Sequence, residues 1–276
     1  MNESNTFAPL NFLRAVRFAG DDAATFLQGQ LTADTLALPS SRWVRAAYCS
    51  LKGRVIASML LGRSNDAYIA ILCADIADDF ATRLARFVLR AKVKITVFPS
   101  GCVTVAKNTN KVDSGTMKTE EEAQFFNDDG WLLRVTENEE PVTAVDLSTD
   151  SSWQQEQIFR GIPWVGREAS ELFIPQHINF ELLDGVNFKK GCYVGQEIIA
   201  RLHYLGKIKR RGYVVSGEGA PPPVGEKING GEVVNAADDG KGGFVVFISA
   251  PCAAAESWEW GDLHLQLLPV PYSLQE

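Results

Sequence analysis

The segment Lys190-Gly191-Cys192-Tyr193-Val194-Gly195-Gln196-Glu197 sets a cysteine directly after a glycine and three residues ahead of another, with Lys189 extending its basic flank. Glycine opens backbone shapes that other residues avoid, and nearby ammonium groups favour a thiolate. This pattern points to an exposed, activated thiol at Cys192, with Lys190 lowering its pKa. Unusual residues continue on both sides: Asp184, Gly185, Asn187 and Phe188 before the segment, then Arg201, His203, Tyr204 and Gly206 after it. Physics alone leaves two readings open. One is a functional loop carried on a rigid scaffold. The other is a tight structural joint between domains.

Outward from the segment, residues 195–205 read as a short helix, apolar on one side. Residues 173–191 read as irregular chain punctuated by Pro175, Gly185 and Gly191. After Arg211 glycines and prolines become dense, and short β-like runs lie between them at 212–216, 231–236, 243–249 and 263–269. That is the pattern of a small antiparallel barrel or sandwich. The chain therefore divides near 205–212, into an α+β region at 1–205, with two interleaved subdomains, and a β domain at 206–276.

The first region mixes strands and helices without a regular β-α alternation, which favours an α+β fold. Strands are expected at 11–18, 67–74, 92–98, 102–107, 131–135 and 142–147, and a hairpin at 43–49 and 55–62 around Ser50–Gly53. Gly20-Asp21-Asp22 offers a turn and an N-cap for a helix at 22–31, with Phe26 and Leu27 facing the core. Ile76, Phe80, Leu84, Phe87 and Val88 recur at helical spacing over 75–90. Ser151 or Ser152 can cap a helix from Trp153 to Arg160. The polar stretch 108–130 reads as an exposed loop or ragged helix.

The net charge is −7 and the pI near 5.2, so a purely electrostatic nucleic-acid binder is not expected. One local basic cluster, Arg201, Lys207, Lys209, Arg210 and Arg211, is either a solvated face or an anion site beside the segment. No apolar run approaches the roughly 20 residues that span a bilayer. The polar N-terminus lacks the features of a secretory signal, which predicts a cytoplasmic protein. Five widely spaced cysteines without a C-x-x-C pair predict neither a disulfide framework nor a metal site. Cys49, Cys73, Cys102 and Cys252 read as small buried hydrophobes. The familiar nucleophile, zinc-protease and phosphate-loop motifs are absent. A Cys192–His203 nucleophile–base pair is conceivable, but spacing does not enforce it.

Lys190 through Glu197 resembles the K-G-C-Y-x-G-Q-E signature of the YgfZ family, whose mitochondrial members serve iron–sulfur cluster assembly. Gly20 with 26–32, Ala47–Gly53, Gly161–Pro163, Phe173–Gln176 and the closing Pro271–Leu274 resemble further motifs of that family. The resemblance covers nearly the whole chain. It implies a T-protein-like fold: α+β folate-binding domains around a central channel, with a C-terminal antiparallel β-barrel. Tetrahydrofolate, or a one-carbon derivative, is the implied cofactor. Trp153 matches a tryptophan lining the family's folate site, while a second would fall near Leu13. Tyr193, Gln196, Glu197 and Arg201 would shape the loop or hold the folate. The adjacent aspartates of T-proteins, one of them catalytic, align with Ala57 and Ser58, and the glutamate that holds the pterin falls near Phe159. A methyl group or phenyl ring cannot handle protons, so T-protein aminomethyl transfer is not expected.

The leading expectation is a folate-dependent accessory protein for iron–sulfur cluster assembly or repair. It would use Cys192 and serve cluster-dependent enzymes, including ones that modify tRNA. Its partners would be iron–sulfur proteins or assembly factors, with no direct nucleic acid and no membrane. The alternatives are a folate-dependent one-carbon transferase and a scaffold recruiting partners through the barrel.

Overall fold

Apolar runs bounded by turn residues become strands along the whole chain. The computed structural model describes residues 7–64, 67–108, 114–120, 123–128, 130–138, 147–253 and 258–274. The N-terminal elements are β1 (Ala8–Pro9), β2 (Leu13–Ala19), α1 (Ala23–Gln28), β3 (Trp43–Cys49), β4 (Val55–Arg63), β5 (Ala67–Cys73), α2 (Ala77–Val88) and β6 (Lys94–Val97). Next come β7 (Val103–Lys107), β8 (Met117–Glu120), β9 (Ala123–Asp128), β10 (Trp131–Thr136), α3 (Leu147–Phe159) and α4 (Gln196–Leu205). The remainder is β11 (Arg210–Glu218), β12 (Lys227–Ile228), β13 (Gly231–Asp238), β14 (Gly243–Pro251), β15 (Trp258–Trp260) and β16 (Leu263–Leu268).

Three antiparallel sheets result, ordered β3-β4-β5-β2-β6, β1-β7-β10-β9-β8 and β12-β13-β14-β11-β16-β15. The edges of the third approach each other, where the Glu259 amide donates to Asn229 Oδ1 at 3.2 Å. That sheet is a nearly closed six-stranded barrel. In β14 both faces are buried: Phe244, Val246 and Ile248 fill the barrel interior. Val245 and Phe247 join Cys49, Val55, Tyr193 and Ile199 in a second core between barrel and hairpin. The period-2 alternation of a strand is what lets β14 serve both cores.

One joint ties the barrel to the irregular chain before α4. Asn179, at φ 58°, accepts the Gly212 amide at 2.9 Å and donates to the Gly212 carbonyl at 2.8 Å. Arg211 pairs with Glu181 in a buried ion pair, and Tyr272 donates to the Gly161 carbonyl at 2.7 Å.

Several expectations are corrected. The stretch 108–130 contains the β8–β9 hairpin. Met117 is its inward anchor, and 118–120 are exposed on an edge strand. Of the strand expected at 142–147, Leu147 opens α3 and the rest lies outside the described residues. Ser151 and Ser152 therefore sit inside a helix rather than capping one. The Asp22 carboxylate accepts the Lys92 amide at 2.7 Å instead of capping α1. Phe87 is exposed, and Val88 beside it packs half-buried against the core.

His177, two residues before Asn179, has its pKa lowered to about 4 by burial, then by the positive charges of Arg210, Arg54 and Arg211. Below its ordinary value of 6.5 the unfolded chain takes up the proton first, so stability falls as pH drops from there toward about 4. Urea denaturation across that window is expected to show a shallower loss for His177→Gln than for the natural sequence.

Candidate functional site

The loop 187–195 is held by polar contacts over long sequence separations. Asn187 Oδ1 accepts the amides of Lys189 and Lys190 at 2.8 and 3.0 Å. The Asn187 amide donates to the Thr32 carbonyl at 2.9 Å. Thr32 Oγ1 donates to the Gly185 carbonyl at 2.6 Å and accepts the Ala47 amide at 2.8 Å.

The strongest anchor is Lys190. Its Nζ donates to the carbonyls of Gln28, Leu31 and Ala33 at 2.7, 2.6 and 2.8 Å. These carbonyls lie at and just beyond the C-terminal end of α1, where the helix dipole favours a cation. Burial lowers the Lys190 pKa to about 8, which leaves the ammonium protonated at neutral pH. All three N–H hydrogens are spent on carbonyls, and none remains for a thiolate. The expected role of Lys190 as activator of Cys192 is therefore corrected: it fastens the loop.

At the far end of the loop, Gly195 has φ +80°, and a Cβ there would lie 2.4 Å from the Ser50 carbonyl oxygen. The loop thus docks directly on the β3–β4 turn, which only glycine permits. Between the anchors, Tyr193 turns inward against the second core, and burial raises its pKa. Its hydroxyl is buried without a partner among the described residues.

Cys192 turns outward and is exposed. Cys49, Cys73 and Cys102 are buried, which pushes their thiols up. Cys252 is exposed rather than buried as expected, because it lies in the turn after β14. His203 stacks face to face on Phe188 at 3.7 Å and makes no hydrogen bond with Cys192, so the geometry does not assemble a Cys192–His203 pair. Gln196 is half-buried, and Glu197 and Arg201 are exposed on α4. The basic cluster splits, with Arg211 buried against Glu181 while Arg201, Lys207 and Lys209 stay exposed. Among the described residues no group of His, Cys, Asp and Glu could hold a metal ion, and no helix is long and apolar enough to cross a membrane.

Trp153 is fully buried in α3, 5.2 Å from the ring of Trp164 and 5.9 Å from Phe12. Leu13 is buried, and its neighbour Phe12 supplies the aromatic wall. Trp153 Nε1 has no partner among the described residues. Aromatic walls and a free donor match a pterin's chemistry, but the cavity there is only about 10 Å3. A folate-sized ligand needs some hundreds of Å3, so these residues do not fit one as they stand. None of Tyr193, Gln196, Glu197 and Arg201 lines that cavity. A larger cavity of about 420 Å3, lined by Asp34, Arg42, Trp43, Asp184 and Asn187, adjoins the loop's anchors.

Ala57 is buried, and Ser58 Oγ donates to the Pro163 carbonyl at 3.2 Å while accepting the Val165 amide at 2.8 Å. No carboxylate occupies either position, and Phe159 is exposed. Sequence reasoning missed the buried Asp128, which receives Arg45 and Arg160 at 3.3 Å each and Gln157 at 3.3 Å. It also missed Thr32 as a hub, although Thr32 closes a quoted motif.

Two substitutions test this anchoring. Lys190→Met strands three inward-facing carbonyls, each costing about 1–3 kcal/mol if left unpaired, and is expected to lose about 3 kcal/mol or more in urea denaturation. Gly195→Ala, strained by its φ and by the Ser50 oxygen, is expected to lose about 2 kcal/mol.

No family model matches the chain. The tRNA-modifying protein YgfZ of Vibrio atlanticus is 30% identical over 217 residues, covering 74% of this chain and 67% of that protein. The protein of the same name from Photobacterium profundum is 28% identical over 228 residues, covering 75% and 69%. That from Cronobacter sakazakii is 27% identical, covering 93% and 90%. The crystal structure of glycine cleavage system aminomethyltransferase T from Bartonella henselae superposes with a TM-score of 0.72 at 11% identity, over 96% of this chain and 85% of that one. The fold is thus aminomethyltransferase-like, and by sequence the chain belongs to the YgfZ family.

Proposed function

We propose that this protein is a cytoplasmic, tetrahydrofolate-binding accessory factor for iron–sulfur cluster assembly or repair, acting through the thiol of Cys192. Cluster-dependent enzymes, including ones that modify tRNA, would be the beneficiaries, in keeping with the tRNA-modifying relatives. The observation that carries the reading is an exposed cysteine on a rigidly anchored loop, in a fold whose acid positions hold Ala57 and Ser58. A thiol presented this way suits transient bonding to a partner better than aminomethyl transfer, which needs a carboxylate to manage protons. Tetrahydrofolate supplies a carrier for one-carbon units. Trp153 is the contact that the family resemblance implies for its pterin, and Gln196, Glu197 and Arg201 would orient the motif for its partner.

The test of the thiol is complementation in a cell lacking its own homologue. Cys192→Ala is expected to abolish restored cluster-enzyme activity, with stability in urea unchanged; full restoration would sink the thiol's role. The test of the folate is titration with tetrahydrofolate followed by tryptophan fluorescence. Quenching is expected to vanish in Trp153→Phe and persist in Trp43→Phe. The reverse would move the ligand to the larger cavity and refute the role of Trp153, and no quenching at all would remove the folate.

A further inference from the structure

Helix α4 is the element of the site whose outer face has no packing partner among the described residues. Ile198 and Leu205 are 41% and 84% exposed, and Tyr204 is 62% exposed. Ile198, Arg201 and Leu205 are spaced three and four apart and so share a helix face. The β3–β4 turn extends this face, because a Cβ on Gly53 would lie 3.0 Å from Ile198 Cβ, and Leu51 in the same turn is 85% exposed. The loop bearing Cys192 runs beside the helix, from Phe188, stacked on His203, to Gly195 at the helix start.

The rim of this face is basic. Lys52, Lys189, Arg201, Lys207 and Lys209 are exposed, and none forms an ion pair with a described residue. Glu197 is the acidic residue of α4 itself. A chain of net charge −7 therefore gathers unpaired cations around one apolar strip.

We propose that this face docks an acidic amphipathic protein segment, in which apolar side chains are flanked by Asp and Glu. The apolar side chains would cover Leu51, Ile198 and Leu205, and the carboxylates would meet the rim. Charge complementarity of this kind sets register and encounter rate. The docked segment would lie over Cys192, so the surface supplies the partner recognition that the thiol lacks by itself. Nucleic acid fits less well, since single-stranded binding uses stacked aromatic platforms, whereas Leu51, Ile198 and Leu205 are aliphatic, His203 is already stacked on Phe188, and Tyr204 is held edge-on to both. A lipid surface fits less well, because the apolar strip is one short helix face interrupted by Arg201. The inference does not depend on a bound folate.

The test uses the full chain and a fluorescent peptide of about 18 residues, built of leucine and glutamate at helical spacing. Anisotropy is expected to show binding that falls by about tenfold or more in Leu51→Ser/Leu205→Ser and in Arg201→Glu. A polyglutamate peptide of equal charge should bind about tenfold more weakly than the leucine-bearing one. Leu51 and Leu205 are exposed and take no part in the folate reading, so thermal unfolding and the tetrahydrofolate titration should be unchanged in Leu51→Ser/Leu205→Ser, which separates this result from the folate question. Absence of binding to the leucine–glutamate peptide, or equal binding by the variants, overturns the proposal. So does capture of a single-stranded RNA oligomer, or of vesicles containing phosphatidylserine, that is lost in the same variants.

Discussion

The Lys190 ammonium, buried against the carbonyls of Gln28, Leu31 and Ala33, is the constraint on which the site depends. A buried cation is tolerable only when each N–H finds an oxygen, and here three carbonyl dipoles at the end of α1 provide them. The contact joins residues more than 150 positions apart. With Asn187 and Thr32 it fixes the loop against the first sheet. Only with that fixation does a glycine-rich segment stop being a flexible linker and hold Tyr193 inward and Cys192 outward.

That alternation gives the site two sides. Inward lies the second core, which Tyr193 joins, while Trp153 packs with Phe12 and Trp164 in the first core. Outward lie the thiol and the apolar, basic-rimmed face of α4. Ser58, which the resemblance aligns with a T-protein aspartate, uses its hydroxyl to tie β4 to the chain at Pro163 and Val165. Ser58 serves as scaffolding there, and the exposed thiol sits on the loop instead.

Much of the architecture was legible because its elements obey simple periods. The hairpin of β3 and β4, strand β5, helix α2 and the barrel strands follow apolar runs punctuated by glycine. The β8–β9 hairpin did not, since Lys118, Thr119 and Glu120 are solvent-facing on an edge strand and carry no apolar alternation. The start of α3 was placed six residues late. Ser151 looked like a cap, but the first turn instead presents Asp150 to the amides of Asn11 and Phe12, at 3.1 and 3.3 Å, a contact no local pattern announces.

The sequence by itself determined most of the element types, with 108–130 and the start of α3 the exceptions, together with the glycine-dependent turns, the α+β class with its barrel, the outward thiol at Cys192 and the resemblance to the YgfZ family. These follow from backbone preference and side-chain spacing, which act over a few residues. Only the tertiary structure decided that Lys190 anchors rather than activates, that Cys252 is exposed, and that Trp153 is sealed away from Tyr193, Gln196, Glu197 and Arg201. The physical reason is that burial and hydrogen-bond partners come from segments distant in the chain. A lysine's role depends on whether its ammonium meets a thiol or three carbonyls, and that choice is made only when α1 and the loop fold against each other.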